Sequence, residues 1–240
     1  DARWVNQSGA LFKITYDGRW LLETNQTYSA IENKGTIRKE ESTGTLLMQA
    51  LVDNSGNIEL ESGTWQLDGP VENKGSILAA SDTTLHISKT YLDQPLAVIA
   101  TEGHLWFSGT TESSSIQGNF EGGATTTLEC KEIQFLPSST LIALGERVLI
   151  QKGKVVLNSG ETIQMLNLTL TDQGRVTGSD SIEISNQFLW DTGTQLAGDK
   201  THISQTFTEW YASSHPDEPR ILLEGSLINK GNLLWSQGNT

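Results

Sequence analysis

The chain has 240 residues, a formal net charge of −13 and 36% hydrophobic residues. Its 16 basic residues are scattered, with no run beyond Arg38-Lys39, so the surface repels phosphate backbones and anionic membrane faces and argues against a nucleic-acid partner or membrane insertion. One cysteine, Cys130, excludes an intrachain disulfide, and no apolar run reaches the length of a membrane span.

The acidity fits a solvated extracellular chain better than one built to load calcium. Residues 1–28 open on Trp4 to Gly9, a strand running into a turn, and Leu11, Ile14 and Leu21 keep an apolar rhythm. Tyr16-Asp17-Gly18-Arg19-Trp20 reads as a turn followed by a strand, and nothing here reads as a capping helix. The far end also stops shortly after a fresh turn, so both ends are expected to lie within repeats of a much longer protein.

Residues 29–90 are the most regular. Asn33-Lys34-Gly35 leads into Ile37, Asn54-Ser55-Gly56 into Ile58 and Leu60, and Asn73-Lys74-Gly75 into Ile77 and Ala79. From Gly35 to Gly56 is 21 residues and from Gly56 to Gly75 is 19, a period that marks stacked coils. Apolar residues at every second position give each short strand one inward face. A single coil cannot bury that face, whereas stacked coils share one core. Asn33, Gly35, Asn54, Gly56, Asn73 and Gly75 are read as corner residues that tolerate a left-handed backbone, and the type recurs at Asn158/Gly160 and Asn229/Gly231. The fold predicted is all-β, a parallel β-solenoid of about 10–11 coils forming a single segment over residues 1–240.

Residues 91–128 loosen the spacing, and the Ser-, Gly- and Thr-rich stretch 113–126 is expected to protrude as a loop or to form small-residue turns. Cys130 alternates with Leu128 and is expected to be a small core residue. Alternation returns over 131–172 and again around Ile182, Ile184, Phe188 and Ile203. Trp106, Trp190 and Trp235 share the form Trp-x-x-Gly at near multiples of the coil length, which predicts equivalent positions along the rod. They serve either as stacked rings sealing the core or as exposed rings that grip sugars. Residues 207–221 carry two prolines and adjacent aromatics and are expected to leave the solenoid wall. Trp210, Tyr211 and His215 are the candidate ligand-binding residues there; the alternatives are a packed cover or a contact to a neighbouring domain.

Catalytic signatures are sparse. The four histidines and Cys130 lack metal-ligand spacing, and no phosphate loop, dinucleotide fingerprint or Gly-x-Ser-x-Gly elbow occurs. No cofactor is expected. A polysaccharide-cleaving solenoid needs two carboxylates about 5–10 Å apart. Glu59 with Glu40 or Glu41, and Asp180 with Glu161, are pairs that one coil period would bring together. The Thr-x-Thr triplets at Thr125, Thr169 and Thr206 are too irregular for an ice-binding array and are expected to be cross-strand Thr pairs.

The phrases Ile31–Lys39, Val52–Leu67 and Phe188–Gly198 resemble the degenerate repeats of large bacterial surface and adhesin-like β-helix proteins. That resemblance covers most of 29–90 and 155–206 and implies a right-handed β-helix in a long exported protein. It implies a scaffold, adhesion or polymer-binding role, and the expectation is a non-enzymatic stalk or adhesive module, secreted or at the cell surface, with a glycan, a host or neighbouring-cell surface protein or adjacent domains of the parent protein as partners. Pectate-lyase-like enzymes and phage tailspikes share this architecture, so a polysaccharide-active β-helix is the alternative.

Overall fold

The computed structural model describes residues 3–21, 30–109, 111, 113–197, 201–211 and 220–236. Among them there is no helix; short strands, all paired in parallel, wind into a β-solenoid with sheets of 11, 7 and 13 strands. The first face runs in strict order from Arg3–Asn6 to Ile221–Leu223, one strand per coil. The second face ends as a separate sheet at Thr140–Ala143, because the next two coils cross it with long strands, Thr162–Thr171 and Ser181–Asp191. A register irregularity between Met165 and Asn167 bends these strands, so one continuous strand serves both second and third faces.

Alternation builds the core as columns. Ile37, Ile58, Ile77, Ile99, Phe120 and Leu141 lie one above another on the second face, each at most 5% exposed. Burying each such side chain contributes about 1.5–3 kcal/mol. Phe12, Trp4 and Trp20, one from each face, fill the first coil with ring centroids 4.9–5.3 Å apart. Cys130 is in the core as expected, and burial pushes its thiol up to about 12.

The corner residues do a different job from the one the sequence suggests. None of Asn33, Asn54, Asn73, Gly35, Gly56 or Gly75 has a positive φ. The three asparagines share the inward parity of Ile31, Val52 and Val71 and stack in register with Asn6 below and Asp93 above. Asn6 donates to Asn33 Oδ1 at 2.8 Å, Asn33 to Asn54 at 2.7 Å, and Asn54 to Asn73 at 2.8 Å. The same Nδ2 atoms donate to the carbonyls of Thr36, Asn57 and Ser76, so a buried polar column is satisfied along its length. The glycines are needed for space: a Cβ on Gly56 or Gly75 would lie 2.1 or 2.0 Å from the carbonyl oxygen of the glycine one coil below. Only Gly160, at φ +85°, occupies the left-handed region expected of the group. Asn158 instead accepts the Ser179 N–H, and Asn229 accepts the Thr208 hydroxyl and donates to the Gly231 carbonyl.

Three further expectations change. Residues 113–126 neither protrude nor collapse into turns; Ser113–Ile116, Asn119–Glu121 and the start of Thr125–Leu128 form a regular coil, with Ser114 accepting the Tyr91 N–H in the interior. Phe207–Tyr211 is a ladder strand between Ser181–Asp191 and Asn232–Trp235, so the wall continues through the first part of the supposed excursion. Thr125 and Thr127 pair with His104, Trp106, Arg147 and Leu149, not with other threonines.

Candidate functional site

The second face carries a concave surface with an apolar floor. Its outward column runs Lys13, Arg38, Glu59, Leu78, Ala100 and Glu121. Large charged side chains at the first three layers give way to small or apolar ones, and the wall sinks there. The depression of about 380 Å³ is lined by Glu59, Glu61, Leu78, Ala80, Ala100, Glu102 and Glu121, among others. It shares Thr101, Glu102 and Glu121 with a second hollow of about 490 Å³ that continues past Gly122, Gly145 and Glu146 to Leu166. Both volumes are in the range of small-ligand clefts, about 300–1,000 Å³. Leu78 and Leu166 are 41% and 43% exposed along this groove, an apolar strip between carboxylates.

The carboxylates divide into two kinds. Glu59 and Glu61 are held by Arg38 at 2.6 and 3.1 Å, and Arg38 also reaches Glu40 at 3.7 Å. The hydrogen bond to Glu59 raises the Arg38 pKa first, and a hydrogen bond from Lys13 holds the Glu40 carboxyl below its usual range. The expected pair Glu59 and Glu40 is therefore a charge ladder around one guanidinium, a poor place for two carboxylates to exchange a proton. Asp180, of the other expected pair, is 2% exposed and accepts hydrogen bonds from the Ser159 N–H, the Ser159 hydroxyl and the Gly160 N–H at 2.7–2.8 Å. It caps a corner of the coil below. Glu102 and Glu121 are exposed and have no ion-pair partner among the described residues. They stand on adjacent layers, since Glu121 lies over Ala100 and Glu102 follows two residues on. No sequence pattern pairs them; only the register does.

The predicted aromatic site is dispersed. Trp190, Trp210 and Trp235 do occupy one column, of inward parity, but Trp235 is 68% exposed. Trp190 is 3% exposed, Trp210 packs against the core, and the rings meet at 5.7 and 5.4 Å. Trp106 is one residue out of that register, level with Leu189, and therefore faces outward. There it stacks on His86 at 4.0 Å with an interplanar angle of 6°. The side chain of Tyr211, and His215 entirely, lie outside the described residues. Burial pulls the imidazoles of His86, His104 and His202 below the ordinary histidine value. Among the described residues no group of three or more His, Cys, Asp and Glu side chains is placed to hold a metal ion.

Asp93 is the one buried carboxylate in the asparagine column, and it cannot donate. It accepts the N–H groups of Gln117 and Gly118, while its other oxygen has no partner. Burial pushes its pKa up to about 6. A folded-state pKa above the ordinary value of 3.8 means the carboxyl favours the folded state below about pH 4 and loses that contribution as pH rises through about 6. Asp93→Asn should therefore stabilise the protein by about 2–3 kcal/mol at pH 7.5 and by little at pH 4. Urea unfolding of both proteins across that range measures it, and a difference independent of pH refutes it.

Compared with known proteins, the chain matches no family model, no curated protein and no solved structure.

Proposed function

We propose that this chain is a rigid β-helical module of a secreted or cell-surface protein, a stalk or adhesive scaffold whose second face engages a glycan or a neighbouring-cell surface protein. The observation that carries the proposal is the uninterrupted parallel ladder, eleven strands deep on the first face, reinforced inside by the side-chain amide column. Such a stack holds its length under load, and its outer faces are free to vary. The groove through Leu78, Ala100, Glu102 and Glu121 suits a ligand with an apolar flank and hydroxyl or ammonium donors.

A glycan array, followed by a product assay on whatever is captured, tests the reading. Capture without product, weakened at least tenfold by Glu102→Gln with Glu121→Gln, is the expected result. The second reading, a polysaccharide-cleaving enzyme, rests on those same two carboxylates, which are unpaired and one layer of about 4.8 Å apart along the axis. Chain cleavage abolished by either single substitution, with capture retained, would establish the enzyme and overturn the scaffold.

A further inference from the structure

The corner that joins the third face back to the first carries a charge opposite to that of the chain. A hollow of about 500 Å³ there is lined by Lys131, Lys152, Gly153, Lys154, Asp172, Gln173 and Arg175. Four cations and one carboxylate line it in a protein of net charge −13, and Glu129 and Glu132 pair with two of the lysines. Lys152 is tied to Glu129 at 3.2 Å and Asp172 at 3.4 Å, and Lys154 to Glu132 at 3.0 Å. Lys131 and Arg175 are exposed and have no ion-pair partner among the described residues, although acids outnumber bases 29 to 16 in the chain. Lys154 and Arg175 are register neighbours, and Lys131 belongs to the layer below Lys154. The two unpaired cations are thus two layers, about 10 Å, apart along the rod. Lys152, Asp172 and Gln173 have φ of 52°, 50° and 65°, a backbone conformation unfavourable for residues with a side chain. Three such residues border this one hollow.

We infer that this corner binds an anionic polysaccharide, a chain with carboxylate or sulfate groups repeated along its length. The spacing of Lys131 and Arg175 along the axis suits an extended polymer better than a single small anion. No aliphatic or aromatic side chain lines the hollow, so it lacks the anchor pocket of a protein–protein contact and the stacking platform of a single-stranded nucleic-acid groove. The inference is independent of the second-face groove, which lies on another side of the rod and has acidic walls.

The test is titration of the intact chain with a polyuronate oligomer, a sulfated oligosaccharide and inorganic polyphosphate over a range of salt. Binding of either sugar is expected, with polyphosphate weaker. Lys131→Glu with Arg175→Glu should lower the affinity at least tenfold, and Lys131→Gln with Arg175→Gln should reduce the salt slope by about 2, one per cation lost. Arg19→Glu, on another part of the surface, should leave both unchanged. The circular-dichroism spectrum and unfolding midpoint of the variants should match the parent, because both side chains are exposed. The proposal is overturned by no binding of either sugar, by equal loss in the Arg19 control, or by polyphosphate binding as tightly as the sugars.

Discussion

Gly75→Ala is expected to destabilise the protein by at least about 3 kcal/mol, whereas Gly160→Ala should cost about 1–2 kcal/mol. The two glycines are required for unrelated reasons. At Gly75 the backbone conformation is open to any residue, but an added Cβ would sit 2.0 Å from the Gly56 oxygen and 2.9 Å from the Gly56 nitrogen. Those atoms belong to a ladder in which Ser76 N–H already donates to the Gly56 carbonyl at 2.9 Å, and Gly56 in turn sits as tightly on Gly35. Relief would mean opening the layer spacing, about 4.8 Å, across neighbouring coils. At Gly160 nothing lies within 4 Å of the added atom, and the whole penalty comes from φ +85°. Asparagine separates the causes. It adopts the left-handed region readily, so Gly160→Asn should be nearly neutral while Gly75→Asn should be at least as damaging as Gly75→Ala. Chemical denaturation of the four variants measures this, and equal costs at the two sites would refute the stacking argument.

The solenoid is legible in the sequence because two independent periods coincide, alternation within strands and recurrence near 20 residues. The asparagine column is legible too, although Asn-x-Gly is also a turn signal and points away from it. Counting by twos from Ile31, Val52 and Val71 puts Asn33, Asn54 and Asn73 inside. Tryptophan register was beyond the sequence, because coils vary in length and a slip of one residue exchanges inside for outside, as Trp106 and Trp190 show. The prolines at 216 and 219 suggest a break in the wall, yet Phe207–Tyr211 forms an ordinary ladder strand ahead of them. The two grooves depend on residues one or two coils apart that become neighbours only when coil lengths are known. Glu102 with Glu121, and Lys131 with Arg175, carry no local pattern.

Asn54→Leu should cost about 3–5 kcal/mol and divide the unfolding transition, since it removes the middle of the amide column. Asn54 accepts from Asn33 at 2.7 Å and donates to Asn73 at 2.8 Å and to the Ser76 carbonyl at 3.1 Å. A leucine leaves the Asn33 amide with only the Asn57 carbonyl, and Asn73 Oδ1 with only the 3.3 Å contact from the Gly75 N–H. In a stack where each coil is stabilised mainly by its neighbours, a weak layer uncouples the coils on either side. Asn54→Asp keeps the shape and the acceptor but sets two oxygens against each other at Asn73. Its carboxyl should titrate above the ordinary range for the same reason as Asp93, burial. The variant's deficit relative to the parent should then be largest above neutral pH and shrink toward pH 4, where a protonated carboxyl can donate again. Measuring the difference between variant and parent cancels the acid loss from His86, His104 and His202, which both proteins share. If Asn54→Asp has the same deficit at pH 4 and pH 8, the column is shape-filling, and its hydrogen bonds do not hold the coils in register.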